Sequence, residues 1–235
     1  MKATLIIRNI EKLYTCAEDD TIYENAFVAM HHDVIMACGS GTGSQYRDEA
    51  TRILDATGEI VTPAFIEAHY EMPRSNSYND MILKEYDRLF RMYQAGITTV
   101  MTAEGHVQNR SLSQDVFRSR ASCIRQLHFG DEKLPEAPYV LTCGGPGANC
   151  SLQPAAYYAR YLLDADPYEL LKASTVWPAK AQKLTDRGMV EPGKLADLLV
   201  LRASEISRFY ELADTFLIRR IIKNGIPVWP EIIRC

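Results

Sequence analysis

Asp55-Ala56-Thr57-Gly58-Glu59-Ile60-Val61-Thr62-Pro63-Ala64-Phe65-Ile66-Glu67-Ala68-His69 carries two short apolar runs on either side of a proline. Proline gives no N–H to a strand ladder, so one strand is expected to end at Pro63 and another to begin beyond it. Upstream, residues 4–10 and 26–38 are rich in Val, Ile, Leu and Phe with partial alternation and polar or glycine-containing borders, which predicts short strands. Downstream the period changes. From Ser77, apolar residues at Tyr78, Met81, Ile82, Leu89, Phe90 and Tyr93 predict a helix, with Ser77 placed to cap it and Gly96 to stop it. Ile97-Thr98-Thr99-Val100-Met101 then reads as a buried parallel strand, so strand, helix and strand make a βαβ unit.

Further along, a helix is expected over 111–127, a strand over 139–142, and helices over 152–163 and 167–184. Asp166, Pro167 and Glu169 fit the N-cap, N1 and N3 positions of the last helix, and Pro178 predicts a kink or break inside it. Strands return at 196–201, 215–223 and 226–229, the last two joined by a turn at Asn224-Gly225.

Composition narrows the function. The chain has 235 residues, 47% hydrophobic and 24% charged, enough for a sizeable core in one or two domains. Its formal net charge of −4, with no basic run, argues against a nucleic-acid partner. No apolar stretch reaches the roughly 18 residues that span a bilayer, and the first residues are too short and too alternating for a signal peptide. Six cysteines without a C-x-x-C pair read as reduced thiols. A soluble, cytoplasmic protein without a membrane partner is expected.

The stretch 55–69 and a second one, Arg187-Gly188-Met189-Val190-Glu191-Pro192-Gly193-Lys194-Leu195-Ala196-Asp197-Leu198-Leu199-Val200-Leu201, resemble the entry to and the return from the barrel of the amidohydrolase superfamily, which includes the imidazolonepropionases. Ala95-Gly96-Ile97-Thr98-Thr99-Val100 is similar to that family's second-strand segment, and Ala173-Ser174-Thr175 through Ala179 to its last barrel helix. The final Lys223-Asn224-Gly225-Ile226-Pro227-Val228 resembles its closing sandwich strand. The resemblance implies an α/β plus β architecture. A small discontinuous β-sandwich from 1–62 and 186–235 would flank a truncated (β/α) barrel-derived domain over 63–185. A closed (β/α)8 barrel takes about 250 residues, whereas 63–185 leaves room for about four units. The open edges of such a half-barrel need cover, so a homo-oligomer is expected.

The resemblance also implies a metal centre, and this chain departs from it. The family's His-x-His pair reads His69-Tyr70-Glu71, and its Thr-Asp-x-x-Pro-Gly reads Thr142-Cys143-Gly144-Gly145-Pro146-Gly147, with Cys143 in the place of the catalytic carboxylate. Candidate metal ligands are therefore His69, Glu71, His106 and Cys143, with His128 a further possibility; no catalytic residue is assigned. A thiol is a poor replacement for a carboxylate that shuttles protons. No cofactor is expected for the chain as it stands, and zinc or another divalent metal if it is active. Two functions follow: an impaired or inactive amidohydrolase-like protein that binds a small molecule or a partner, or an active hydrolase of a small cyclic amide or amidine using metal-activated water. Other features have plainer readings. His31-His32 reads as a solvated turn, 39–44 as a flexible loop and 144–150 as a strand-to-helix turn. Pairings of Cys143 or Cys150 with His69 or His106 show no spacing that tests them. Tyr157, Tyr158 and Tyr161 read as core and subunit contact.

Overall fold

The computed structural model describes the chain except residues 72, 74, 103–125, 128–131, 136–137, 144–149, 212–216 and 230–235. Two compact units emerge, Met1–Ala64 with Thr185–Cys235, and Phe65–Leu184.

The first unit is built on β1 (Leu5–Tyr14). On one side it pairs antiparallel with β2 (Ile22–His31), which turns back into β3 (Val34–Ser40). On the other side it pairs parallel with β4 (Arg52–Asp55) through its first half and with β5 (Ile60–Pro63) through its second. The pairing with β2 slips between Ile7↔Val28 and Ile10↔Ala26, which places one extra residue on β1. Asn9 lies there at φ 55°, a left-handed conformation that asparagine tolerates better than most residues.

Pro63 ends β5, as its missing N–H requires, and β6 (Phe65–Tyr70) begins two residues later. Beyond β5 the sheet continues antiparallel into β10 (Leu198–Leu201), β11 (Ile218–Lys223) and β12 (Ile226–Trp229). The eight strands form one hydrogen-bonded mixed sheet. Period-2 alternation along β1 divides its apolar residues: Leu5 and Ile7 join a cluster with Val28, Val61, Leu198 and Ile222, while Ile6 joins Phe27 and Ala29. Between β2 and β3 the expected turn falls at His32 and Asp33, where the His32 N–H donates to Thr4 Oγ1 at 2.9 Å.

In the second unit β6 pairs parallel with β7 (Ile97–Thr102) across α1 (Tyr78–Gln94), the anticipated βαβ unit. Ser77 holds the N-cap position with extended backbone, but its side chain makes no cap bond; Ser75 bonds the first-turn carboxylate of Asp80 instead. Most of the helix expected over 111–127 lies outside the described residues. Its last two positions form a strand, β8 (Gln126–Leu127), parallel to β9 (Val140–Leu141). α2 (Gln153–Leu162) follows; there Tyr157 and Tyr161 stay exposed, ring centroids 4.6 Å apart, rather than filling the core.

The 167–184 helix is two. α3 (Pro167–Ser174) starts with the Asp166 carboxylate accepting from the N–H groups of Tyr168 and Glu169 at 2.8 and 3.0 Å. It stops four residues before Pro178, whose ring would clash with the Ser174 carbonyl of a continuous helix. Thr175 leaves helical geometry, and α4 (Val176–Ala181) takes Pro178 in its first turn, where no N–H is needed. Among the described residues there is no closed barrel and no helix long and apolar enough to cross a membrane.

In the β11–β12 turn, buried Asp197 holds Lys223 Nζ and the Asn224 N–H, each at 2.8 Å. Gly225 at φ 73° donates its N–H to the Ala196 carbonyl at 2.9 Å, and a Cβ there would lie 1.7 Å from the His32 carbonyl oxygen. Gly225→Ala should cost roughly 2–4 kcal/mol. Gly58, at φ 72° with open space around it, should lose only about 1 kcal/mol on the same change. Equilibrium urea unfolding of both variants checks the contrast, and equal losses would refute the steric account.

Candidate functional site

β6 is an apolar strand interrupted by chemistry. All of it but His69 is buried, and its register with β7 slips between Glu67 and Tyr70, which places one extra residue on β6 there. Ile66 packs against Met101 and Ala179, which anchors the strand.

Glu67 has no exposed surface. A buried carboxylate must find hydrogen-bond partners, and this one finds them on two chain segments. Its Oε1 accepts from the His69 N–H and from Thr142 Oγ1, each at 2.7 Å, and its Oε2 accepts from the Cys143 N–H at 2.6 Å. The Cys143 thiol bonds the same carboxylate. A carboxylate offers about four lone-pair positions, so Glu67 is fully engaged. Burial first, and then the charge of Glu67, push the Cys143 thiol far above its ordinary range. Cys143 is held as S–H, the opposite of the thiolate that metal binding or nucleophilic attack requires.

β6 also meets α1 through polar groups. The Tyr70 hydroxyl donates to the Glu85 carboxylate, and the Arg88 guanidinium lies 4.8 Å from the centre of the Tyr70 ring. Arg88 Nη1 also donates to the Glu71 carbonyl at 2.8 Å, fixing the backbone just after the strand. Glu85, only 4% exposed, is pushed up from its ordinary value by burial, opposed in part by the Tyr70 bond and the Arg88 charge. Because α1 turns Glu85, Arg88 and Met92 inward, Tyr78 and Phe90, two of the residues whose spacing predicts the helix, face outward.

Of the expected metal ligands, His69 and Glu71 come together on partly exposed surface, with Nε2 3.4 Å from Oε1. Cys143 is brought to the same strand end through Glu67. His106 and His128 lie outside the described residues. Among the described residues no three potential ligands converge. A catalytic zinc takes three protein ligands plus water, so the donors in view, one imidazole and one carboxylate, do not complete such a centre. Sequence reasoning missed Glu67, Tyr70, Glu85 and Arg88. The available signal was a glutamate inside the apolar run Phe65-Ile66-Glu67-Ala68, and a Glu-x-x-Arg spacing that puts both charges on one helix face.

Two measurements test this arrangement. In Glu67→Gln, whichever way the amide is turned, its NH2 meets a main-chain N–H, so stability should drop by roughly 2–4 kcal/mol in urea unfolding. An unchanged midpoint would contradict the bonding described. For Glu85, the folded chain keeps its proton to higher pH than the unfolded chain does. Its contribution is therefore complete below about pH 4 and is lost as pH rises through and beyond the usual carboxylate range. The stability of the native chain relative to Glu85→Gln should decline over that rise, and a flat difference between pH 3.5 and 8 would refute the upward displacement.

Comparison with known proteins gives a partial sequence match and a shared fold. The amidohydrolase family profile matches residues 147–228. An imidazolonepropionase of Pyrobaculum arsenaticum is 45% identical over 56 residues, 23% of this chain and 14% of that protein. One from Fusobacterium nucleatum subsp. nucleatum is 32% identical over 87 residues, 33% of this chain and 21% of that protein. The matched stretches therefore span well under a quarter of these curated relatives. An adenosine deaminase from Xanthomonas campestris with bound zinc shares the fold, with a TM-score of 0.68 at 12% identity over 96% of this chain and 93% of that one. In sequence the chain is amidohydrolase-like over 147–228, its two curated relatives are imidazolonepropionases, and its fold is shared with the adenosine deaminase.

Proposed function

We propose that this chain is a catalytically impaired amidohydrolase-like protein that binds a small polar molecule at the end of β6 instead of hydrolysing it. The observation that carries the reading is Glu67. Its carboxylate is spent on the His69 and Cys143 N–H groups and Thr142, and burial together with its charge keeps protonated the thiol that stands in the catalytic carboxylate's place. A buried thiol of that kind accepts no proton from an attacking water. His69 and Glu71, one ring nitrogen and one carboxylate 3.4 Å apart, offer complementary partners to the N–H and C=O edge of a cyclic amide. The same reading includes the small discontinuous sandwich over 1–62 and 186–235, the shortened barrel-derived segment over 63–185, and a cytoplasmic setting.

The zinc bound by the Xanthomonas adenosine deaminase favours a second reading. In it the chain is an active hydrolase of a small cyclic amide or amidine, and His69, Glu71 and His106 hold a divalent metal that activates water.

Metal analysis of protein expressed in zinc-supplemented medium, followed by hydrolysis and calorimetric binding assays on hydantoin-like and imidazolone-like compounds, separates the two. The expected result is substoichiometric metal, no turnover above background, and binding weakened about tenfold by His69→Ala. Stoichiometric metal with turnover abolished by His69→Ala would overturn the first reading in favour of the second.

A further inference from the structure

The outward face of α1 is apolar. Leu83, Tyr86 and Phe90, spaced three and four residues apart, form one stripe opposite the buried Glu85, Arg88 and Met92, and are 68%, 55% and 54% exposed. Single exposed apolar side chains are ordinary, but a contiguous stripe of large ones on one helix marks an interaction surface.

The flank beside the stripe identifies the occupant. Asp80, Lys84, Asp87 and Arg91 run along it with alternating sign, and pair within the helix as Lys84–Asp80 at 2.7 Å and Arg91–Asp87 at 3.0 Å. When two copies of a helix pack antiparallel about a two-fold axis, the same flank of each meets the same flank of the other. An axis between positions 85 and 86 then sets Asp80 against the partner's Arg91 and Lys84 against the partner's Asp87. In that register Tyr86 lies beside its own copy, and Leu83 lies between Tyr86 and Phe90 of the partner subunit.

We infer that α1 is a self-association surface, on which a second copy of this chain docks antiparallel through the Leu83–Tyr86–Phe90 stripe with the charged flank setting the register. Four opposite-sign contacts arise from one register, and a parallel arrangement would bring this flank against the other side of the partner helix. A helix of 17 residues is about 26 Å long, which alone falls short of the roughly 800 Å² per partner of a stable complex, so the dimer is a weak, concentration-dependent one.

Sedimentation equilibrium of the full chain between about 5 and 200 μM tests this. The wild-type chain should dimerise reversibly, and Leu83→Asp with Tyr86→Asp should raise the dissociation constant at least about 30-fold while leaving the far-UV spectrum and thermal melt unchanged. Asp80→Lys with Asp87→Lys makes the flank wholly basic, and Lys84→Asp with Arg91→Asp makes it wholly acidic. Each double variant should be monomeric alone, and an equimolar mixture should restore the dimer, a rescue that a misfolded variant could not give. A wild-type monomer throughout the range, a dimer indifferent to the Leu83 and Tyr86 changes, or a mixture that stays monomeric would each overturn the inference.

Discussion

One buried carboxylate, Glu67, ties β6 to the residues after β9. β6 and β9 belong to different hydrogen-bonded sheets, so among the described residues no backbone ladder ties Thr142 and Cys143 to β6. Glu67 replaces that ladder. It gathers main-chain donors from its own strand and from Cys143, along with the Thr142 hydroxyl, into a cross-link that a low-dielectric interior strengthens. Removing such a carboxylate from water is costly, and only full engagement of its lone pairs makes the site tolerable. His69, two residues further along the strand, has its backbone N–H held by this bond.

That arrangement links structure to chemistry. A carboxylate that spends its oxygens on architecture has none to lend to a metal or a proton. The thiol it faces is driven toward the neutral form by burial and by the carboxylate's charge. The polar inward side of α1 follows from a similar demand, since the Tyr70 hydroxyl and the Glu71 carbonyl both point at the helix and require Glu85 and Arg88 there. A helix that turns Glu85 and Arg88 inward leaves Leu83, Tyr86 and Phe90 outward. The polar support behind the site and the apolar stripe on the outer face of α1 are two consequences of one helix orientation.

Local rules made much of the fold legible. The Pro63 break, the Asp166 cap and the Asn224-Gly225 turn each depend on a few adjacent residues, and each stands where the sequence predicts it. The split between α3 and α4 is legible in kind, though it falls at Thr175 because the proline ring acts on the carbonyl four residues back. What periodicity could not supply was the facing of α1. Tyr78 and Phe90 belong to the helical apolar pattern yet are exposed, Ile82 and Leu89 are half-buried, and the buried positions beside Met92 go to Glu85 and Arg88, which meet the hydrogen-bonding needs of Tyr70 and Glu71 elsewhere in the sequence. The site was legible in part for the same reason. His69 and Glu71 are neighbours in sequence and meet, whereas Glu67 and Cys143 are separated by 76 residues and meet only through the fold.

The eight-stranded sheet is built independently of the site. Its ladder closes between β5 and β10, with Val61 opposite Val200 and Thr62 opposite Leu199, so segments from both ends of the chain complete one sheet. Asp197 reinforces the closure from inside, accepting from Lys223 and Asn224 through its side chain and from the Ala64 N–H through its carbonyl at 2.9 Å. None of these bonds involves a group between Phe65 and Leu184. Changes at Glu71 or Cys143 therefore touch none of the sheet's hydrogen bonds or apolar clusters. A fold whose ladder closes outside its functional segment can keep its architecture while the chemistry of that segment changes.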